Sequence, residues 1–197
     1  MPSLAYAAWS TKRRQRIDQL FTAHQKVRGS GPGRRWNTEQ LNWALVLRLS
    51  AEFQGYAREL NDLAWDHIMS TCSIPLPQVE AVIQSRIAAN RKLDTGNATP
   101  SNLAEDFKKL GIPKLWDVLK QVDNRAPDWN KLLELLNTAR NGFAHADEVK
   151  VAALKAQGHS INLRKIKKWL RELDELASAL DDVVRGYLIT LTGTAPW

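Results

Sequence analysis

The sequence predicts an all-α protein, because apolar residues recur at three- and four-residue steps along most of its 197 residues. The clearest run lies near the C-terminus, where this spacing is typical of the seam of a helical bundle or coiled coil. No segment alternates apolar and polar residues as a half-buried strand would. The apolar positions of the C-terminal run are Leu163, Ile166, Leu170, Leu173, Ala177, Leu180, Val184, Tyr187 and Leu191.

The first half of the chain predicts three helices. A basic amphipathic helix with Trp9 and Ile17 on its apolar face ends at a Gly-rich connection, residues 29–33. A long helix from about 38 to 71 follows, and its segment 41–49 is apolar nearly all round, which predicts a buried central element. Pro75 and Pro77 then begin a helix that we expect to continue to about Leu93.

The second half begins with a predicted loop over residues 94–101. Gly111 and Pro113 then separate two short helices, and Pro127 is well placed as the first residue of the next helix. In that helix, at residues 131–146, the apolar side chains form one stripe on the helical wheel, which predicts one buried face. The stripe consists of Leu132, Leu135, Leu136, Ala139 and Phe143.

Composition is typical of one globular domain. The chain is 44% hydrophobic, enough for one sizeable core, and its lone Cys72 excludes an internal disulfide. No run approaches the ~20 apolar residues of a membrane span, and the N-terminus is apolar before it is basic, the reverse of a secretory signal. We therefore expect a cytoplasmic protein, with a basic helix and connection at 1–33 before a helical domain at 34–197.

The formal net charge of +7 suits a polyanionic partner. One basic cluster lies in the first helix and around its Gly-rich connection, and the other opens the last helix. The first cluster is Lys12, Arg13, Arg14, Arg16, Arg28, Arg34 and Arg35. Positive charge is mildly unfavourable at a helix start, so phosphate contact is one explanation of the second cluster, and a solvated surface is the alternative. The second cluster, a candidate RNA-binding surface, is Arg164, Lys165, Lys167, Lys168 and Arg171.

The strongest functional signal is an arginine, an asparagine and a histidine at the end of the helix at 131–146. On the helical wheel Arg140, Asn141 and His145 lie away from the apolar stripe, so they can meet solvent, a ligand or a second copy. Histidine changes charge near neutral pH and can move a proton, whereas a guanidinium can hold a phosphate. Asn141 is four residues from His145 and close enough to orient its ring. Gly142 predicts a loosening of the helix that would bring His145 towards Arg140.

These residues resemble the R-x4-6-H signature of HEPN domains, in particular the RiboL-PSP-HEPN type, whose nuclease branch often has Asn after the Arg. The segment 47–60 resembles the early helix of those proteins, which commonly contains an F-E-x-Y-like sequence. Here the acid of that sequence is replaced by Gln54, so either Glu52 supplies the polar role or the role is missing. The resemblance spans about residues 36–190.

The resemblance implies an antiparallel HEPN-type bundle, here with an additional N-terminal helix, that forms a homodimer with two Arg-His sets in one cleft. It also implies metal-independent RNA cleavage without a cofactor, with a 2′,3′-cyclic phosphate as product. His145 would act as acid or base, Arg140 would stabilise the phosphorane, and Asn141 would orient the ring or contact phosphate. The isolated residues His24, His67 and His159 have no metal-ligand spacing around them.

Proteins of this kind in prokaryotes include toxins and phage-defence nucleases, which implies control by an antitoxin or another partner protein. A nucleotidyltransferase antitoxin is disfavoured, because its HEPN targets carry Tyr two residues after the His, where this chain has Asp147. A non-cleaving HEPN module that binds RNA, nucleotide or a partner protein remains the alternative.

Overall fold

The computed structural model describes residues 1–28, 36–72, 77–88 and 91–197, which form helices and connections without a strand. The expectation of an all-α bundle is therefore confirmed. A π-helical turn, Trp9–Arg13, joins the first two α-helices. The α-helices are α1 (Leu4–Ala8), α2 (Arg14–Arg28), α3 (Trp36–Thr71), α4 (Pro77–Ala88), α5 (Lys92–Thr95), α6 (Pro100–Lys109), α7 (Leu115–Val122), α8 (Ala126–Ala144), α9 (Glu148–Ala156) and α10 (Leu163–Thr192).

Several element boundaries differ from the sequence predictions. The N-terminal helix is not continuous, since α1, the π-helical turn and α2 follow one another over residues 4–28. The helix begun by Pro77 ends at Ala88, and Leu93 belongs to the separate helix α5. Helix α9 was not predicted, because Glu148–Ala156 is short and presents only one buried residue, Leu154, to the core.

Helix α3 is the centre of the bundle and packs against α2, α8 and α10. Its apolar segment supplies fully buried side chains, including Leu45 and Leu49, as its all-round hydrophobicity predicts. Trp9 and Ile17 of the N-terminal region belong to the same core, only 2% and 1% exposed. The division expected at residue 33 lies in a segment outside the described residues and stays a prediction.

Helices α2 and α3 run antiparallel. Arg13, just before α2, bonds to Glu59 in the second half of α3. Nε2 of His24, near the end of α2, lies 3.1 Å from Oδ1 of Asn42, near the start of α3. The C-terminal end of α2 and the N-terminal end of α3 therefore lie at one end of the bundle.

The C-terminal end of α8 and the N-terminal end of α10 lie at the same end of the bundle. The rings of Trp43 on α3 and Phe143 on α8 are stacked with centroids 4.8 Å apart. The Lys167 ammonium at the start of α10 lies 5.7 Å from the ring centroid of Phe21 on α2. The fold therefore brings the end of α8, with its Arg-Asn-His set, to the end of the bundle that also carries the basic start of α10.

None of the described helices is both long and apolar enough to cross a membrane.

Candidate active site at the C-terminal end of helix α8

Helix α8 ends in a Schellman turn that fixes the backbone around His145. The amide of Asp147 donates to the carbonyl of Gly142 at 2.8 Å, and the amide of Ala146 donates to that of Phe143 at 3.4 Å. Ala146 occupies the left-handed position of this turn with φ of 51°, where glycine is usual. His145 is the C-cap residue, so its imidazole projects from a defined backbone position although the side chain is exposed.

Gly142 permits close packing and does not loosen the helix. The helix continues through Gly142 to Ala144, and Gly142 is buried beneath α9. A Cβ at this position would lie 3.2 Å from Cγ2 of Val151, tighter than ordinary van der Waals contact. The prediction that the helix loosens at Gly142 is therefore wrong.

Arg140 and Asn141 are hydrogen-bonded to each other and are only half-exposed. The Asn141 Oδ1 accepts from Arg140 Nη1 at 3.0 Å and from Asn97 Nδ2 at 2.8 Å. Asn97 lies 44 residues away in sequence, in the connection between α5 and α6. This connection covers the side of α8 that the wheel left open to solvent. The wheel describes one helix and therefore could not show this cover.

The connection that presents Asn97 is held by side-chain amides from three helices. Gln54 Nε2 of α3 donates to the carbonyls of Leu93 and Gly96 at 2.7 and 2.8 Å. Asn102 Nδ2 donates to the carbonyl of Asn97 at 2.7 Å. Buried Asn137 of α8 adds a further bond, to the carbonyl of Ala98. Gln54, which replaces the acid of the F-E-x-Y-like sequence, therefore supplies polar contacts of its own.

The His145 ring has no hydrogen bond to the Asn141 amide within the described part of a single chain. Their link is the backbone bond from the His145 amide to the Asn141 carbonyl at 3.2 Å. The ring is consequently free to meet a substrate or a second chain, and its expected orientation by Asn141 is not seen in one chain.

Comparison with known proteins adds the family to this geometry. The model of the RiboL-PSP-HEPN family matches residues 79–185, more than half of the chain, and the matched region contains all of α8. The chain belongs to the RiboL-PSP-HEPN family. No curated protein and no solved structure matches it.

Glu52 lies away from the candidate site on α8. Its nearly buried carboxylate pairs with Arg13 and Arg48 at 2.8 Å each and with Arg16 at 3.5 Å. It follows Trp43 by nine residues, a rotation of roughly 180° around α3. Because Trp43 faces α8, Glu52 faces the opposite side, where it holds the N-terminal region against α3.

The basic cluster of the HEPN chain lies around the start of α10. Arg164, Lys167 and Arg171 line a groove of about 560 Å³ between α10 and α2. Arg14 of α2, which pairs with Asp174, and Asp18 also line this groove. Arg13 and Arg16 of the first basic cluster instead pair with Glu52 on α3. Lys165 lies 5.8 Å from the ring centroid of Trp169, and Lys168 pairs with Glu172 of its own helix.

Among the described residues there is no group of three His, Cys, Asp or Glu side chains that could hold a metal ion.

Asp147, at the position of the tyrosine of nucleotidylated HEPN toxins, begins α9. Its Oδ1 accepts from the Lys150 amide at 3.0 Å, and its Oδ2 pairs with the Lys150 ammonium at 3.0 Å. Both hydrogen bonds lower the pKa of the Asp147 carboxyl, and the bond from the backbone amide has the larger effect. The side chain is therefore a helix N-cap in this chain.

Proposed function

We propose that this HEPN protein is a metal-independent endoribonuclease whose site combines Arg140, Asn141 and His145 from two copies of the chain. The observation that carries the proposal is the pairing of Arg140. Its guanidinium bonds to the neutral amide of Asn141 and, within the described residues, to no carboxylate. Its charge is therefore available to a phosphate.

The chemistry requires one proton acceptor, one proton donor and a stabiliser of negative charge. The 2′-oxygen attacks the adjacent phosphorus as its proton passes to a base, and the bond from phosphorus to the 5′-oxygen breaks as that oxygen receives a proton. His145 serves as base or acid, and the Arg140 guanidinium stabilises the charge that develops on the phosphorane. The products are a 2′,3′-cyclic phosphate and a 5′-hydroxyl.

A second copy supplies what one exposed histidine lacks. Two His145 rings related by a two-fold axis can divide the acid and base roles, and two Arg140 residues double the positive charge in the cleft. The basic groove between α2 and α10 lies at the same end of the bundle and is well placed to hold the RNA backbone through Arg164, Lys167 and Arg171. We place this activity in the cytoplasm, as a prokaryotic toxin or phage-defence nuclease controlled by a partner protein.

The test is cleavage of a labelled RNA by purified wild type and by His145→Ala. We expect the variant to lose about 10² to 10⁴-fold in rate. His159→Ala is the matched control, since it removes a histidine after α9 and outside the Arg-Asn-His set. Cleavage should continue in EDTA and yield a cyclic phosphate end. Wild-type rates in His145→Ala would refute the proposal, whereas RNA binding without cleavage by the wild type would favour the inactive binding module.

The composite site is tested by mixing wild type with His145→Ala chains. Heterodimers carry one histidine, so specific activity should fall below simple dilution, and light scattering should give about twice the chain mass of 22.3 kDa. Activity strictly proportional to the wild-type fraction would show that each chain acts alone.

A further inference from the structure

A cavity of about 370 Å³ lies between α3 and α9, directly beside the end of α8. Its walls are mainly apolar and include Trp43, Val151 and Ala152. Polar side chains of Glu39, Gln40 and Lys155 stand around it. Its volume falls in the usual range of small-ligand pockets, which are mostly apolar with a few placed polar groups.

The cavity borders the turn that carries His145. Gly142 and Ala146 line it, and His145 stands between them in the Schellman turn. The Cα of His145 is about 3.8 Å from that of Ala146. A ligand in the cavity is therefore next to the position where a phosphate would meet the imidazole.

Trp43 gives the cavity a fixed aromatic wall. Its ring is stacked on Phe143 with an interplanar angle of 15° and is only partly buried. An indole held in this way needs no reordering to contact another flat ring, and base-aromatic contacts are a common means of binding single-stranded nucleic acid. Stacking on Phe143 leaves part of the Trp43 indole facing the cavity.

The charges around the cavity favour a neutral group over a phosphate. Two carboxylates, Glu39 and Glu148, line it against one ammonium, Lys155, which is 3.4 Å from Glu39. Carboxylates accept hydrogen bonds and repel phosphate, while the Gln40 amide both donates and accepts. Arg140 does not line the cavity and lies two residues before Gly142, roughly 200° around α8. The residue of the candidate site that adjoins the cavity is therefore His145.

We infer that this cavity binds the nucleobase beside the scissile phosphate and favours a base with an exocyclic amine, which uracil lacks. The inference rests on the proposed function for its orientation, with the phosphate at His145. The acidic side chains accept from the exocyclic amine, and the Gln40 amide contacts the base edge. The cavity thereby selects the sequence at which RNA is cut.

The decisive variant fills the cavity without removing a buried side chain. Ala152 is exposed on α9 and lines the cavity, so Ala152→Phe places a ring inside it. Ala153 is its exposed neighbour on the same helix and does not line the cavity, so Ala153→Phe is the matched control. Binding of the four nucleoside 3′-monophosphates is measured by calorimetry on full-length His145→Ala protein, which separates binding from cleavage.

We expect the adenosine, guanosine or cytidine nucleotide to bind better than the uridine nucleotide, and Ala152→Phe to weaken that binding about tenfold or more. Ala153→Phe should leave it unchanged. Gln40→Ala should reduce the discrimination against uridine while the nucleotide still binds. Equal binding by the Ala152→Phe and Ala153→Phe proteins, or a preference for uridine, would overturn the inference. Nucleotide binding in the cavity of a protein that cleaves no RNA would instead refute only the proposed nuclease.

Discussion

Arg13 and Arg140 are two arginines of this bundle whose guanidinium groups have different partners. The Arg13 guanidinium, 14% exposed, bonds to Glu52 at 2.8 Å and to Glu59. The Arg140 guanidinium bonds to the amide oxygen of Asn141 at 3.0 Å, and no carboxylate of the described chain pairs with it. The Arg13 charge is neutralised by carboxylates, whereas the Arg140 charge is held in place by a neutral amide.

The difference follows from what each arginine holds together. Arg13 lies close above Gly55, so close that a Cβ there would be 2.4 Å from its Nη1, and it ties the N-terminal region to α3. Within the described residues Arg140 links no distant segments directly, because its hydrogen-bond partner is the next residue. Removal of one partner of a nearly buried ion pair destabilises a fold, whereas an arginine without an ionic partner can bind an anion.

The largest expected effect is on activity at Arg140. Arg140→Ala removes the group proposed to stabilise the phosphorane, and loss of one such donor typically lowers the rate about 10² to 10³-fold. Thermal stability should change little, because only the bond to Asn141 is lost. Initial rates of RNA cleavage and a melting curve on the same preparation test both statements. Wild-type activity or a large loss of stability in Arg140→Ala would contradict the expected difference between Arg140 and Arg13.

Arg13→Ala should have the opposite result. It removes charged hydrogen bonds to Glu52 and Glu59, and we expect the free energy of unfolding to fall by about 2 to 3 kcal/mol. Arg48, 2.8 Å from Glu52, still pairs with that carboxylate and keeps the loss moderate. Urea unfolding measures the change, and cleavage per folded molecule should stay at the wild-type value. Unchanged stability would show that the network does not hold the N-terminal region.

The turn that carries His145 allows a smaller test. Ala146 has φ of 51°, which costs L-residues other than Gly about 1 to 2 kcal/mol, so Ala146→Gly should stabilise the protein by about 1 kcal/mol. Ala144→Gly, in the last helical residue before the turn, is the control and should destabilise instead. Denaturant midpoints give both values. The same sign for both substitutions would mean that the left-handed conformation is not the cause.

The smallest effect concerns the buried carboxyl of Asp181, which accepts hydrogen bonds from the amide and hydroxyl of Ser3. Burial raises the pKa of Asp181 above its ordinary value despite these bonds. Its neutral form therefore stabilises the fold at low pH, and this contribution is lost as pH rises through the raised pKa. The melting temperature of Asp181→Asn relative to that of the wild type should therefore increase between about pH 4 and about pH 7. A constant difference across this range would contradict the assignment.

Local patterns in the sequence determined much of this protein. Helical periodicity identified α3, α8 and α10, because each buries one stripe or its whole circumference against neighbours. The hexapeptide at 140–145 led to the HEPN family, which the match over residues 79–185 supports independently. The role of Arg140 and His145 as a nuclease site stays a prediction.

Only the tertiary structure decided which polar residues meet. Asn97 reaches Asn141 across 44 residues of sequence, and Glu52 lies on the far side of α3 with Arg13, since both depend on how separate helices pack. The packing of Gly142 against Val151, which closes one wall of the cavity beside His145, depends on the unpredicted helix α9. Periodicity encodes which face of a helix is buried, but the identity of the neighbour that buries it depends on contacts between distant parts of the chain.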